Sequence, residues 1–197
     1  MRGIRTSWPT SLLLLLWAGC GAGSPIVDLR GRVQDPLGRG GRGLTLLVFI
    51  LQDCPIANSY APEINRIRKE YASRGVVTYV VHADPDLTAE EARRHASEYG
   101  YENPVLLDPG QTLVSWTGVG RAPEAVLVSR GEDILYRGRI DDLFADYGKK
   151  RPEPTSRDLR DALEAALVGR PIRFPDADPV GCFIPRASGR KNHGGSF

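Results

Sequence analysis

An α/β fold, built as a mixed sheet with helices on both faces, is what this sequence predicts, and three features predict it. A continuous apolar run, Leu44 to Leu51, has strand length and suits a central strand covered on both sides. Strand-like segments then alternate with helical faces, which implies parallel neighbours joined by crossovers. Later, Ala125 to Val128 and Ile134 to Gly138 flank the turn Gly131-Glu132-Asp133, read as a hairpin, and add antiparallel edges. The chain has 197 residues, 41% of them hydrophobic and 25% charged, which fits one globular domain with tails.

The elements follow in order. Ile26 to Leu29 is a candidate short strand, and Gly38 to Gly43 reads as a turn. After Cys54 the apolar positions Ile56, Tyr60, Ile64, Ile67 and Tyr71 recur every three or four residues and describe one helix face. Pro62 lies inside this pattern and is expected to kink the helix, which Gly75 ends. Val76 to Val81 is the next strand. Thr88 followed by Glu91 has the spacing of a capping box and opens a helix running to about Tyr99, with Gly100 as its stop. Pro104 to Leu107 is a short extended segment. Thr155 followed by Asp158 is expected to cap a last helix with Leu159, Leu163, Ala166 and Leu167 on its inner face. Beyond Arg170, Pro171, Pro175, Pro179 and Pro185 argue against a regular element, and residues 189–197 are polar and Gly-rich.

The N-terminus has a different character. Arg2 and Arg5 precede a short apolar core, Leu12 to Trp17, and the segment closes on Ala18-Gly19-Cys20. A positive start, a short apolar core and small residues at its end mark an export signal, with a core too short to be a mature spanning helix. Cys20 directly after Ala-Gly resembles the lipobox of bacterial lipoproteins, with Trp17 standing where that pattern usually has an aliphatic residue. The resemblance implies lipid on Cys20, a membrane anchor and a periplasmic address. The expected organisation is a signal peptide over 1–19, a tether and N-terminal segment over 20–43, one domain over 44–169, and a Pro/Gly-rich tail over 170–197 that carries Cys182. The formal charge of +2, with no basic stripe interleaved with aromatics, excludes nucleic acid as the expected partner.

With Cys20 assigned to export, Cys54 and Cys182 remain in a compartment where disulfides persist. Cys54 closes a strand and opens a helix, in Asp53-Cys54-Pro55-Ile56. Unpaired N–H groups and the helix dipole favour a thiolate there, and the thiolate is the reactive form. Pro55 suits the first helical position, where its missing N–H costs nothing. The neighbouring Asp53 carboxylate opposes the thiolate unless it points away. A free cysteine is also commonly a small buried hydrophobe, and Pro123 read alone is an ordinary proline before a strand.

From Leu44 to Leu167 the chain resembles the thioredoxin fold, and within it the redoxin group that includes peroxiredoxins. The resemblance rests on Cys54 at the strand–helix junction with Ala61-Pro62 beyond it, on Ala122-Pro123 before the next strand, and on Tyr136-Arg137-Gly138-Arg139-Ile140-Asp141-Asp142. Gly181-Cys182-Phe183-Ile184 completes the likeness to exported bacterial redoxin-domain proteins. It implies a cis bond before Pro123, a catalytic Cys54, and a substrate-binding surface made of Pro55, Arg121, Ala122 and Pro123. The implied partners are a thiol or disulfide protein, or a peroxide, and an external thiol reductant; no cofactor is implied. Three positions depart from the family patterns. Ala57 stands where a Cys-x-x-Cys motif has its second cysteine, Val48 where thioredoxins carry a buried acid, and Leu51 where peroxiredoxins have Thr or Ser.

Cys182 is then the candidate resolving cysteine, with a permanent Cys54–Cys182 staple, an intermolecular bridge and two independent thiols as its other readings. A thiol oxidoreductase or peroxidase and a non-catalytic binding or assembly module both fit, and a helper in cytochrome or copper-site assembly is the third option. No metal site is expected. His82 has no Cys or His at short ligand spacing and reads as a capping or surface residue. Arg121 and Arg139 are candidates to stabilise a thiolate or anionic substrate. Asp141 and Asp142 read as a solvated turn pair without a catalytic role.

Overall fold

The computed structural model describes residues 26–37, 43–173 and 178–186. The export segment with Cys20, most of the turn over 38–43 and the end of the tail lie outside these residues. At the centre is a five-stranded sheet in the order β3-β2-β1-β5-β6. Strand β1 is Leu44–Ile50, β2 is Val76–His82, β3 is Val105–Leu107, β5 is Glu124–Val128 and β6 is Ile134–Gly138; β4, Arg121–Ala122, lies outside this sheet. β1, β2 and β3 are parallel neighbours, whereas β5 and β6 run antiparallel. Thr45 through Ile50 are all buried, as a central strand covered on both faces requires.

The helix expected after Cys54 is broken rather than kinked. Helix α1, Pro55–Ser59, ends at Tyr60, and α2, Ala61–Tyr71, starts afresh with Pro62 in its first turn. There the proline lacks only an N–H that has no helical partner, so a restart satisfies the chain better than a bend. Ile56, Tyr60, Ile64, Ile67 and Tyr71 are all buried, so the two helices still present one continuous apolar face. Helix α3, Ala89–Glu98, opens on a complete capping box between Thr88 and Glu91 and stops at Gly100, with φ +65°.

Four features depart from expectation. Helix α4, Thr112–Thr117, had no sequence signal: its first turn is held by Asp108, whose carboxylate accepts from Thr112 N at 2.8 Å and Val114 N at 2.9 Å. Helix α5, Asp158–Leu167, is not capped by Thr155. The Thr155 hydroxyl instead donates to Asp142 Oδ2 at 2.5 Å. Ile26 to Leu29 forms isolated bridges, Val27 to Val33 and Asp28 to Leu106, rather than a strand. The Pro-rich tail does contain a regular element: after the small hairpin β7 (Phe144–Asp146) and β8 (Lys149–Lys150), strand β9, Cys182–Phe183, pairs antiparallel with β4. Prolines at 179 and 185 flank those two residues without interrupting their hydrogen bonds.

The registers decide where the site lies. Ile50 pairs with His82 and Phe49 with Glu124. The C-terminal ends of β1 and β2 and the N-terminal end of β5 therefore meet at one edge, beside Cys54 and Pro123.

Candidate active site

Cys54 is the N-cap of α1, and its sulfur accepts from Ala57 N at 3.4 Å. This N–H is one of the unpaired donors of a helix start, and it supports negative charge on the sulfur. The thiol donates to Ala122 O at 3.1 Å and is 0% exposed. The Ala122–Pro123 peptide bond is cis. Pro55 and Asp53 are exposed at the rim.

The loop before Cys54 is fixed by polar contacts. Gln52 N donates to Asp84 Oδ2 at 3.0 Å, and Asn58 Nδ2 donates to Gln52 O at 2.8 Å. The remaining amide oxygen of Asn58 faces His95 Nε2 at 2.9 Å. Since Asn58 spends its donors on Gln52, His95 carries its proton on Nε2. The His95 ring packs edge-on against His82 at 4.9 Å, and burial, followed by the neighbouring His82, pushes its pKa down to about 4. His82 is therefore neither a surface nor a capping residue: it is 0% exposed, and neither ring nitrogen has a hydrogen-bond partner. Its position at the end of β2 gives this burial, because the four residues before it, Thr78 to Val81, are all buried.

The tail brings the second thiol to the first. In the β4–β9 pair Ala122 faces Cys182 and Arg121 faces Phe183, and Ile184 N donates to Gly120 O at 3.1 Å. Ala122 thus binds Cys54 through its carbonyl and holds Cys182 as its strand partner. The Cys182 thiol is half-buried; burial first, and then the neighbouring Cys54, push it up to about 12. Gly181 makes the close approach feasible. A Cβ on it would lie 2.6 Å from the carbonyl carbon of Ala122 and 3.1 Å from Pro123 N. The Gly181 carbonyl accepts from Tyr147 OH and, at 3.4 Å, from Arg121 Nη1. The Arg121 guanidinium lies 4.1 Å above the Phe183 ring. Gln111 Nε2 adds a bond to Pro185 O at 2.5 Å.

The Redoxin family model matches residues 37–149, more than half of the chain. The chain belongs to the Redoxin family. Over 110 residues it is 27% identical to the thiol-disulfide oxidoreductase ResA of Bacillus thuringiensis (strain Al Hakam), covering 56% of this chain and 62% of that protein. This redoxin therefore spans less than two thirds of that relative's length. Among solved structures, a conserved protein of Geobacillus kaustophilus superposes with a TM-score of 0.69 at 24% identity, over 84% of this chain and 89% of that one. A putative thiol:disulfide interchange protein DsbE from Chlorobium tepidum does so at 0.57 and 20% identity, over 73% and 92%. Both likenesses establish the thioredoxin-like fold. Within this redoxin, Cys54, Arg121, Ala122 and Pro123 fall inside the family match, whereas Cys182 falls beyond it.

Other sequence candidates have structural places. Arg139 is held by Asp158, at 2.6 Å from Nε and 3.3 Å from Nη2, which commits its guanidinium to α5. Asp141 and Asp142 are buried rather than solvated. Asp141 accepts from Tyr60 OH at 2.5 Å, and Asp142 accepts from Thr155 N at 2.6 Å and Ser156 N at 2.9 Å. Sequence reasoning missed Tyr147, Gly181, Gln111, Asn58 and His95. Only Gly181, directly before a cysteine, carried a signal, since a glycine there permits close backbone approach. Among the described residues no cluster of three or more His, Cys, Asp or Glu is arranged to hold a metal, and no helix is long and apolar enough to cross a membrane.

Proposed function

We propose that this redoxin is an exported thiol–disulfide oxidoreductase whose redox pair is Cys54 and Cys182. One observation carries the reading: the Cys54 thiol donates to the Ala122 carbonyl at 3.1 Å while Cys182 is the strand partner of Ala122, so one residue brings the two cysteines together. Cys54 is the nucleophile. Its thiolate attacks one sulfur of a substrate disulfide, forms a mixed disulfide, and releases the other substrate sulfur as a thiolate that takes up a proton. Cys182 then gives up its proton and attacks the Cys54 sulfur. The Cys54–Cys182 disulfide forms, and the second substrate thiol leaves. The substrate gains two electrons and two protons, and an external thiol reductant returns the pair to the dithiol.

The order of events follows from electrostatics. While Cys54 is free, its sulfur accepts a hydrogen bond from Cys182 and repels a second thiolate, which keeps the proton on Cys182. Once Cys54 enters a mixed disulfide, both effects disappear and burial alone holds Cys182 protonated. Deprotonating Cys182 thus becomes easier at the moment when there is something to resolve. The export pattern over residues 1–20 supports a lipid anchor at Cys20 and a periplasmic site of action, where such a cycle operates. Peroxide is the alternative oxidant; attack on it converts Cys54 to a sulfenic acid, which Cys182 condenses to the same disulfide.

Peptide-resolved mass spectrometry of the mature protein tests the reading. Disulfide substrate should yield a Cys54–Cys182 link that reductant removes, and Cys54→Ser should abolish substrate reduction. Unchanged turnover in Cys54→Ser would overturn it. Complete burial of Cys54 favours a second reading, a permanent staple in a binding module. A reduction potential below about −300 mV would select the staple, and a higher one the exchange couple.

A further inference from the structure

We propose that an acidic cleft between the Gln52-Asp53 loop and α3 binds a cationic group, an ammonium or guanidinium, and that a basic side chain near the reacting cysteine of the substrate protein supplies it. The cleft stands on its own geometry, whereas its role in substrate choice rests on the thiol–disulfide reading above.

Its place is beside the nucleophile. A cavity of about 340 Å³, at the small end of ligand pockets, lies between the chain ahead of Cys54 and one face of α3. Gln52 and Asp53 line one side, and Cys54 follows them directly. Residues of α3 and Tyr99 line the other.

Its charge is negative. Asp53, Glu91 and Glu98 set three carboxylates against the single guanidinium of Arg94. Glu91 is committed to the capping box, where its carboxylate accepts from Thr88 N at 2.9 Å. Asp53 and Glu98 make neither a hydrogen bond nor an ion pair among the described residues. Asp84 adds negative charge behind the loop, accepting from Gln52 N at 3.0 Å.

Its buried polar groups lack donors, and this observation is independent of the charge. His95 lines the cavity and is 4% exposed. Its Nε2 proton goes to Asn58, which leaves Nδ1 as an acceptor, and that nitrogen has no partner. Gln52 Oε1 is likewise a buried acceptor without a partner. Such groups cost free energy until a donor reaches them. The two buried atoms and the two open carboxylates are all acceptors. An ammonium or guanidinium brings several donors together with the compensating charge. The Tyr99 ring, 4.7 Å from that of His95, adds a π face for it. An anion is repelled there, and an apolar group leaves the acceptors empty. The occupant also affects the sulfur. Asp53 is the carboxylate next to Cys54, and a cation seated against it offsets the negative field that opposes the thiolate. A basic substrate thereby favours the form of Cys54 that attacks it.

The test has a binding arm and a reactivity arm, both on the reduced full-length protein. N-acetyl-arginine amide, which carries no thiol, is titrated while the His95 and Tyr99 signals are followed by NMR. Saturable shifts are expected in wild type and should be lost in Asp53→Asn/Glu98→Gln. Both carboxylates are exposed, and thermal unfolding verifies that the double variant is folded. No shift, or an equal shift in the double variant, overturns the site. The reactivity arm compares single-turnover oxidation by two peptide disulfides that differ only in Arg or Gln beside the cysteine. The Arg-to-Gln rate ratio should fall about two- to fivefold for each carboxylate removed and should shrink as salt is raised. Binding of the arginine compound with a rate ratio that no variant changes overturns the substrate role and assigns the cleft to a free cation. If neither peptide oxidises Cys54 while the titration still saturates, the dithiol reading fails, and with it the substrate role, but not the cleft.

Discussion

Oxidation of the Cys54–Cys182 pair should stabilise the fold by about 5 kcal/mol. The two residues are 182 − 54 = 128 positions apart, and in the chain-entropy model a link across a loop of that length removes about 5 kcal/mol of freedom from the unfolded chain. The folded state has little to set against this gain, because β9 already holds Cys182 opposite Ala122, whose carbonyl binds Cys54, when the pair is reduced. In a chain of this size each kcal/mol shifts Tm by about 2–4 °C, so oxidised protein should melt about 10–20 °C above reduced protein. The same linkage makes the pair about 100 mV harder to reduce than an unconstrained dithiol. Differential scanning calorimetry with and without a phosphine reductant measures the shift, and Cys182→Ser should show none. A shift of about 2 °C or less in protein whose disulfide is verified by mass spectrometry would refute the reasoning. So would an equal shift in Cys182→Ser.

Three further outcomes are expected. Tyr60→Phe leaves the buried Asp141 carboxylate with Leu143 N at 2.9 Å as its remaining partner, and should cost about 1.5–3 kcal/mol in urea unfolding at neutral pH. His95 is held neutral by burial, with His82, Asp84 and Asp53 near it, and its pKa falls to about 4. A histidine lowered by folding leaves stability full above its unfolded value and takes it away as pH falls; between about pH 6.5 and pH 4 the wild-type protein should lose about 2–3 kcal/mol, a slope that His95→Gln should flatten. Ala57→Cys puts a second thiol on the residue whose N–H lies 3.4 Å from the Cys54 sulfur. A disulfide between Cys54 and the introduced thiol should then form at the expense of Cys54–Cys182, leaving Cys182 open to alkylation, at an overpacking cost of about 1–3 kcal/mol in this fully buried position.

The central fold was legible because its signals are local. The apolar run of β1, the capping box at Thr88 and the three-to-four spacing from Ile56 to Tyr71 each describe a burial pattern that a single segment must satisfy. What was missed depends on distant partners. Helix α4 starts because Asp108 reaches as far as Val114, six residues on, a longer reach than a local capping motif. Asp141 and Asp142 look like a surface pair in sequence, yet Tyr60 lies 81 residues from the first and Thr155 lies 13 from the second. His82 looked exposed because Asp84 and Pro85 follow it, whereas it is fully buried with His95 of α3 packed on its ring. The site divides in the same way. Cys54 and Pro55 sit at a strand–helix junction that a local pattern marks, and Ala122-Pro123 was marked only by the family resemblance, but the supports of the tail, Tyr147, Gln111 and Arg121, bind backbone carbonyls, and a carbonyl leaves no trace in sequence.

The position of the second cysteine changes what the site can do. A partner three residues along the same helix is rigidly placed, so a Cys-x-x-Cys pair closes whatever substrate is bound. Here position 57 is an alanine whose N–H serves the Cys54 sulfur, and the second thiol arrives on a two-residue strand that can leave. The same strand covers the nucleophile and carries the thiol that would resolve it. In the proposed dithiol cycle, attack on substrate requires the strand to be off, and resolution requires it to be on. That cycle would separate its two half-reactions by a conformational step that a Cys-x-x-Cys site lacks. Substitutions that weaken tail docking without touching either sulfur should then affect the half-reactions in opposite directions. For Tyr147→Phe, single-turnover measurements should show faster formation of the Cys54 mixed disulfide and slower conversion to Cys54–Cys182, each by about two- to tenfold for one lost hydrogen bond. A change of both rates in the same direction would mean that the strand does not move between the two steps.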